Sequence, residues 1–226
     1  VNRQHQIFRD PILIHALQLL LHEGRLLQTS YYQYGQLATQ FVPPGVVGYD
    51  PELSFEDEGQ DAARRFREAK KQLGVSSLKL SLHYPEEELP LVKAMKEVFA
   101  EQGIELLSSP YPKEKPENPS GDAPDLELLT LDFDLGDVGP FLDALIDSSS
   151  PFNQSYRNPE VDTLIRASRR ELNRVKRLEL LQQIMQIITV GDPAGIPLLF
   201  KRSFVAKKPV EEANWWDWVL SRVILD

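Results

Sequence analysis

LELLTLDFDLGDVGPFLDALIDSSSPFNQSYRNPEVD, residues 126–162, is the stretch whose reading decides the fold. It opens on an apolar run, 126–131, that predicts a short buried strand, and then places Asp132, Asp134 and Asp137 close together. Gly136 and Gly139 sit in the same segment and allow a sharp turn. Carboxylates gathered where a strand ends occupy the position at which open α/β sheets bind ligands. Aspartate is also favoured in turns, so solvated turn residues are the plainer alternative. A helix signal follows in Phe141, Leu142, Leu145 and Ile146, and the polar loop after it ends in Asn158-Pro159, an N-cap followed by proline at the first helical position.

Upstream, Asp10-Pro11 opens a helix whose Leu13, Ala16, Leu17, Leu20 and Leu21 recur at helical spacing. His15 and His22 lie too far apart on it to share a metal, and each reads as a packed or surface histidine. The next segment carries Tyr31, Tyr32 and Tyr34, which could stack on a ligand or pack a domain surface, and is then broken by Pro43, Pro44, Gly45, Gly48 and Pro51 into a long loop. Ala62, Phe66, Ala69 and Leu73 predict an amphipathic helix closed by Gly74. Leu78, Leu80 and Leu82 alternate with polar residues as a half-buried strand does. A helix through Leu91, Val92, Met95, Val98 and Phe99, and a strand over 104–107, complete a βαβ unit with parallel strands. The proline-rich stretch 110–124 predicts an exposed connection.

Downstream of the opening stretch come two helices, from Pro159 and from about Val175 to Val190, short strands over 196–200 and 204–206, and a tail with Trp215, Trp216 and Trp218 that fits a ligand platform, core packing or contact with another domain. The chain has 226 residues, a net charge of −9 and no cysteine. Its acidity argues against a phosphate-backbone partner, because such a binder needs a basic face. Lack of cysteine removes disulfides, zinc-thiolate sites and thiol nucleophiles, and no run approaches the length of a membrane span. The start, VNRQHQIFRDP, has no signal-peptide layout and reads as if entered in mid-fold.

Set in order, these pieces resemble the C-terminal half of the bacterial extracellular solute-binding proteins of family 5, the oligopeptide-, dipeptide- and nickel-binding proteins of ABC importers. The resemblance rests on Pro43-Pro44-Gly45 followed by Tyr49-Asp50-Pro51, on the strand LKLSLHY, on Tyr156-Arg157-Asn158-Pro159-Glu160-Val161-Asp162, which is similar to the family's Tyr-x-Asn-Pro-x-Val/Phe-Asp, and on Ile196-Pro197-Leu198. It covers nearly the whole chain. The resemblance implies an α/β fold of the periplasmic binding protein type II class: residues 1–125 as a ligand-binding lobe with its βαβ unit, and residues 126–226 as crossover strand, cleft loop, helices and segments returning to the other lobe. The N-terminal lobe and any signal or lipoprotein sequence are then expected outside this chain.

The same resemblance implies a short peptide or similar solute in an interlobe cleft, an ABC permease as partner, a monomeric protein, a periplasmic or membrane-anchored extracellular location, and no cofactor or metal. Matching the family's Phe-Leu pair to Phe141-Leu142 lays the acid that meets a peptide's α-ammonium on Asp134, with Asp137 at the acid that often follows. The sequence departs from the family in having three acids and no proline here, so a two-residue slip gives the role to Asp132; Phe133 and Tyr34 complete the expected ligand contacts. Ala-Ile-Asp-Arg, usual in the family's first helix, is replaced by Leu19-Leu20-Leu21-His22. Two other readings differ in class. One is the ligand-sensing domain of a cytoplasmic transcriptional regulator, which an upstream helix-turn-helix would reveal. The other is a hydrolase using Asp132 and Asp137 as acid and base, but no histidine, glutamate or lysine stands at a recognisable catalytic spacing, and enzyme activity is not expected.

Overall fold

The computed structural model describes residues 1–22, 26, 35–53, 61–111, 123–133, 135–153 and 155–201. Asp134, Tyr31, Tyr32, Tyr34, the 204–206 strand, the three tryptophans and most of the 110–124 connection therefore lie outside the described residues.

Helix α1, Pro11–His22, starts where Asp10 accepts a hydrogen bond from the Ile12 N–H at 2.9 Å, and its apolar stripe is buried along its length. Helix α2, Ala62–Gln72, is capped by Asp61, which accepts from the Arg64 N–H, and buries Ala62, Phe66 and Ala69 against α1. Strand β2, Leu78–Tyr84, alternates buried and more exposed positions throughout, as its leucine spacing requires. Helix α3, Leu89–Glu101, crosses to β3, Ile104–Pro110, which pairs parallel to β2 in the register Leu78↔Ile104 to Tyr84↔Pro110. This is the expected βαβ unit.

The opening stretch enters on the other side of β2. Strand β4 covers only Leu126–Glu127, parallel to β2 with Leu82↔Leu126, so the sheet order is β3-β2-β4. The apolar run up to residue 131 fits a longer strand, but β2 ends at Tyr84 and is followed by proline, leaving 129–131 without a ladder partner. Leu129 is accordingly half exposed. Asp125 anchors the entry: its Oδ2 accepts from the Ser81 N–H and the Ser81 hydroxyl, both at 2.8 Å.

A one-turn helix α4, Gly139–Phe141, continues as a wider π turn over Leu142–Ile146. Helix α5, Pro159–Arg170, is capped by Asn158, which accepts from the N–H groups of Glu160 and Val161. Helix α6, Arg174–Gln186, is capped the same way by Asn173 and relaxes into a π turn at Ile187–Gly191. Of the expected 196–200 strand only β5, Leu199–Phe200, forms; it pairs antiparallel with β1, Gln36–Leu37, and is limited by that partner's two residues.

The described residues form two apolar cores. One joins α1, α2, β2, α3, β3 and β4. The other joins α4, α5 and α6 and draws in Val42 and Leu53 from the proline-glycine loop. That loop therefore packs far from its sequence neighbours, against residues about a hundred positions later. Among the described residues no helix is long and apolar enough to cross a membrane.

Candidate ligand cleft

A cavity of about 810 Å³ opens where the two cores face each other. Leu82, Leu91 and Met95 line it from the βαβ side, and Phe141, Leu145 and Ile146 from the other. Residues 126–133 run along it as they leave the carboxyl end of the parallel sheet, the usual ligand position in such sheets. The volume lies within the range of pockets that enclose small ligands, about 300–1,000 Å³.

Of the expected contacts, Asp132 and Phe133 both line this cavity. Asp132 is exposed, and among the described residues its carboxylate has no hydrogen-bond or ion-pair partner. Phe133 stands edge-on to Phe141, ring centroids 6.1 Å apart, and Phe141 stacks on Phe41 at 5.5 Å. The three rings form one apolar wall beside the acid. Asp134 and Tyr34 lie outside the described residues.

Asp137 is placed differently. Its Oδ2 accepts from Arg177 Nη1 at 2.7 Å and its Oδ1 from Arg177 Nη2 at 3.0 Å, a two-pronged ion pair. Its Oδ1 also accepts from the Gly139 N–H at 2.7 Å, so it caps the start of α4. The hydrogen bonds from Arg177 hold its carboxyl below the ordinary aspartate range, reinforced by Gly139 and by the guanidinium charge, while partial burial opposes them. Asp137 is not among the residues lining the cavity.

The loop after α4 is built around Asn153, which is buried. Its Nδ2 donates to the carbonyls of Ile146, Asp147 and Tyr156, and its Oδ1 accepts from the N–H groups of Ser155 and Tyr156. Asp147 accepts from the Ser149 hydroxyl and N–H and from Arg169; these bonds, the hydroxyl's foremost, lower its carboxyl despite burial. Phe152, exposed at this loop's tip, also lines the cavity.

Sequence reasoning missed a polar cluster on the opposite wall. Glu88, buried just beyond β2, pairs with Lys201 and accepts from the Thr130 hydroxyl at 3.1 Å. Nothing local marks it, since a Glu-Glu-Glu run ahead of a helix reads as a solvated, dipole-favoured start. The missed rings, Phe41 and Phe141, meet only through a contact across a hundred residues; Phe41 beside a proline pair was the available hint. Among the described residues no group of three or more histidine, cysteine, aspartate or glutamate side chains could hold a metal ion.

Comparison with known proteins agrees with the geometry. No family model matches the chain. It is 24% identical, over 199 residues and 83% of its length, to the peptide transport periplasmic protein SapA of Salmonella typhimurium. Its fold matches a nickel ABC transporter structure from Bacillus halodurans with a TM-score of 0.69, at 19% identity over 88% of the chain. It also matches the Escherichia coli murein tripeptide binding protein MppA with a TM-score of 0.70, at 18% identity over 88% of the chain. The chain spans only part of these relatives, 36% of SapA and 44% and 41% of the two solved chains. The architecture is thus that of type II periplasmic binding proteins, seen over a partial chain. The match to SapA and the two fold matches agree with the resemblance read from the sequence.

Proposed function

We propose that this chain is part of the solute-binding component of an ABC importer, and that it provides one wall of an interlobe cleft that closes on a short peptide or comparable small solute. The observation that carries this reading is the carboxylate of Asp132, without a partner among the described residues, beside the Phe133–Phe141–Phe41 wall at the carboxyl end of a parallel sheet. In this reading Asp132 and Asp134 supply the negative charge for the ligand's α-ammonium, the rings and Tyr34 take its apolar side chains, and Asp137 supports the acid loop. A carboxylate in a closed cleft, away from water, holds a cation much more strongly than one at the surface.

The whole protein is proposed to act as a monomer in the periplasm or at the outer face of the membrane, delivering its ligand to a permease without nucleic acid, cofactor or catalysis. A hydrolytic reading would need Asp137 as acid or base, yet that carboxylate is committed to Arg177 and Gly139. Calorimetry of the full protein with a pool of short peptides tests the proposal. One charge-assisted hydrogen bond is worth about 1.5–3 kcal/mol, so Asp134→Ala or Asp132→Ala is expected to weaken binding roughly 10- to 150-fold. Tight peptide binding indifferent to both substitutions would refute the site. The present chain alone is expected to bind weakly, since half a cleft leaves its ligand in water.

A further inference from the structure

The loop that carries the acids is fixed at its far end by three independent contacts. First, Val47 and Asp137 form a parallel bridge, in which the Val47 N–H donates to the Gly136 carbonyl at 2.9 Å and the Val138 N–H donates to the Val47 carbonyl at 3.0 Å. Second, Gly48 lies so close to Val138 that a Cβ there would stand 2.5 Å from Val138 Cγ1. Third, α6 holds both segments that form the bridge: Arg177 takes Asp137, and Gln182 donates to the carbonyl of Tyr49, two residues beyond Val47, at 3.1 Å.

We infer that Arg177, through Asp137, is a positioning residue for ligand binding: it sets the direction in which Asp132 faces the cleft without touching the ligand. The inference rests on the peptide-binding reading above. Its physical basis is leverage. Asp137 lies three residues after Asp134 and five after Asp132, and its carboxylate ties the chain both to α6 and to the first turn of α4. A guanidinium fork gripping both carboxylate oxygens fixes orientation as well as distance, which a lysine's single ammonium cannot do. Gly139 is part of the same arrangement. A Cβ on it would lie 3.0 Å from Asp137 Oδ1 and 3.5 Å from Arg177 Nη2, so the bare backbone lets the pair close over the helix start. Asp137 then differs in role from Asp132: one carboxylate is spent on an internal cation and shapes the loop, while the other has no partner among the described residues.

The test uses the full protein, a library of three- to five-residue peptides with free amino termini, and the same library N-acetylated. Affinity and thermal midpoint are measured for the wild type, Arg177→Ala and Arg177→Lys. Arg177→Ala is expected to weaken the free-amino peptides about tenfold, the scale of impairing one charge-assisted contact, and to leave the weaker affinity for the acetylated set unchanged. Arg177→Lys is expected to fall between, at a midpoint close to wild type, and added methylguanidinium to restore part of the affinity lost in Arg177→Ala. Should Arg177→Ala fail to fold, Arg177→Lys decides through the same free-versus-acetylated comparison. Equal weakening of both libraries, or of neither, overturns the positioning role. Failure of the wild type to bind either library overturns the peptide reading itself, and the two failures are thus distinguishable.

Discussion

Replacing Gly48 by alanine adds one methyl group at a position that combines a disallowed backbone angle with a filled neighbourhood. Gly48 has φ of +106°, and its Cβ would meet Val138 Cγ1 at 2.5 Å and Val138 Cβ at 3.1 Å. Val138 is fully buried in the second core and cannot step aside cheaply. Gly45 supplies the control, because it has φ of +94° in the same loop but nothing within 4 Å of its would-be Cβ. Gly45→Ala is expected to cost about 1–3 kcal/mol, from backbone strain alone. Gly48→Ala should cost that and a further 1–3 kcal/mol or so for overpacking, about 2–6 kcal/mol together. Urea denaturation of both variants, with slopes compared to establish equal exposure on unfolding, reads the difference. In a domain of this size each kcal/mol also lowers the thermal midpoint by roughly 2–4 °C. Truncating the obstacle in the double variant Gly48→Ala/Val138→Ala should return part of the crowding cost. A Gly48→Ala penalty within about 0.5 kcal/mol of the Gly45→Ala penalty would refute the reasoning, since additive errors are of that size.

Asn153→Ala would remove five hydrogen bonds from a buried loop, including the acceptor shared by the Ser155 and Tyr156 N–H groups, while the Asp147 and Tyr156 carbonyls keep the Ser150 N–H and the Arg157 guanidinium; a loss of about 2–4 kcal/mol in chemical denaturation is expected. Asp137 and Asp147 both have carboxyls lowered by the fold, by the Arg177 and Ser149 hydrogen bonds respectively. Their contribution is therefore complete above the ordinary aspartate value of about 3.9 and is lost as pH falls below it toward the lowered values. The double variant Asp137→Asn/Asp147→Asn should be less stable than wild type near neutrality and lose less between about pH 5 and pH 3, a difference read by denaturant midpoints across that window. Phe141→Ala removes the ring shared by Phe41 and Phe133 and should cost about 3–5 kcal/mol, measured in the same way.

Much of the fold was legible because its signals are local. The Leu78-Leu80-Leu82 alternation, the capping residues Asp10 and Asn158, and Gly74 after α2 each act within a turn or two, and each element forms where those residues place it. Strand ends were not legible, because they depend on a partner. The 126–131 run stops pairing at Glu127, apart from a Leu128 N–H bond to the His83 carbonyl, since β2 has no more backbone to offer. The candidate site divides along the same line. An acid-rich loop leaving a sheet could be read directly, and Asp132 and Phe133 do line the cavity. The commitment of Asp137 to Arg177, forty residues later, and the burial of Glu88 under Lys201 arise from packing between segments that no spacing rule connects.

In the proposed reading the full protein carries a small solute whose ammonium group is held by Asp132 or Asp134. Native mass spectrometry of that protein, purified without denaturation and then released from its ligand, identifies the solute. Short peptides with free amino termini are expected among the released species, and their loss from the Asp132→Ala/Asp134→Ala variant. Release of nothing, or of a solute without an amino group that the double variant retains equally well, would contradict it.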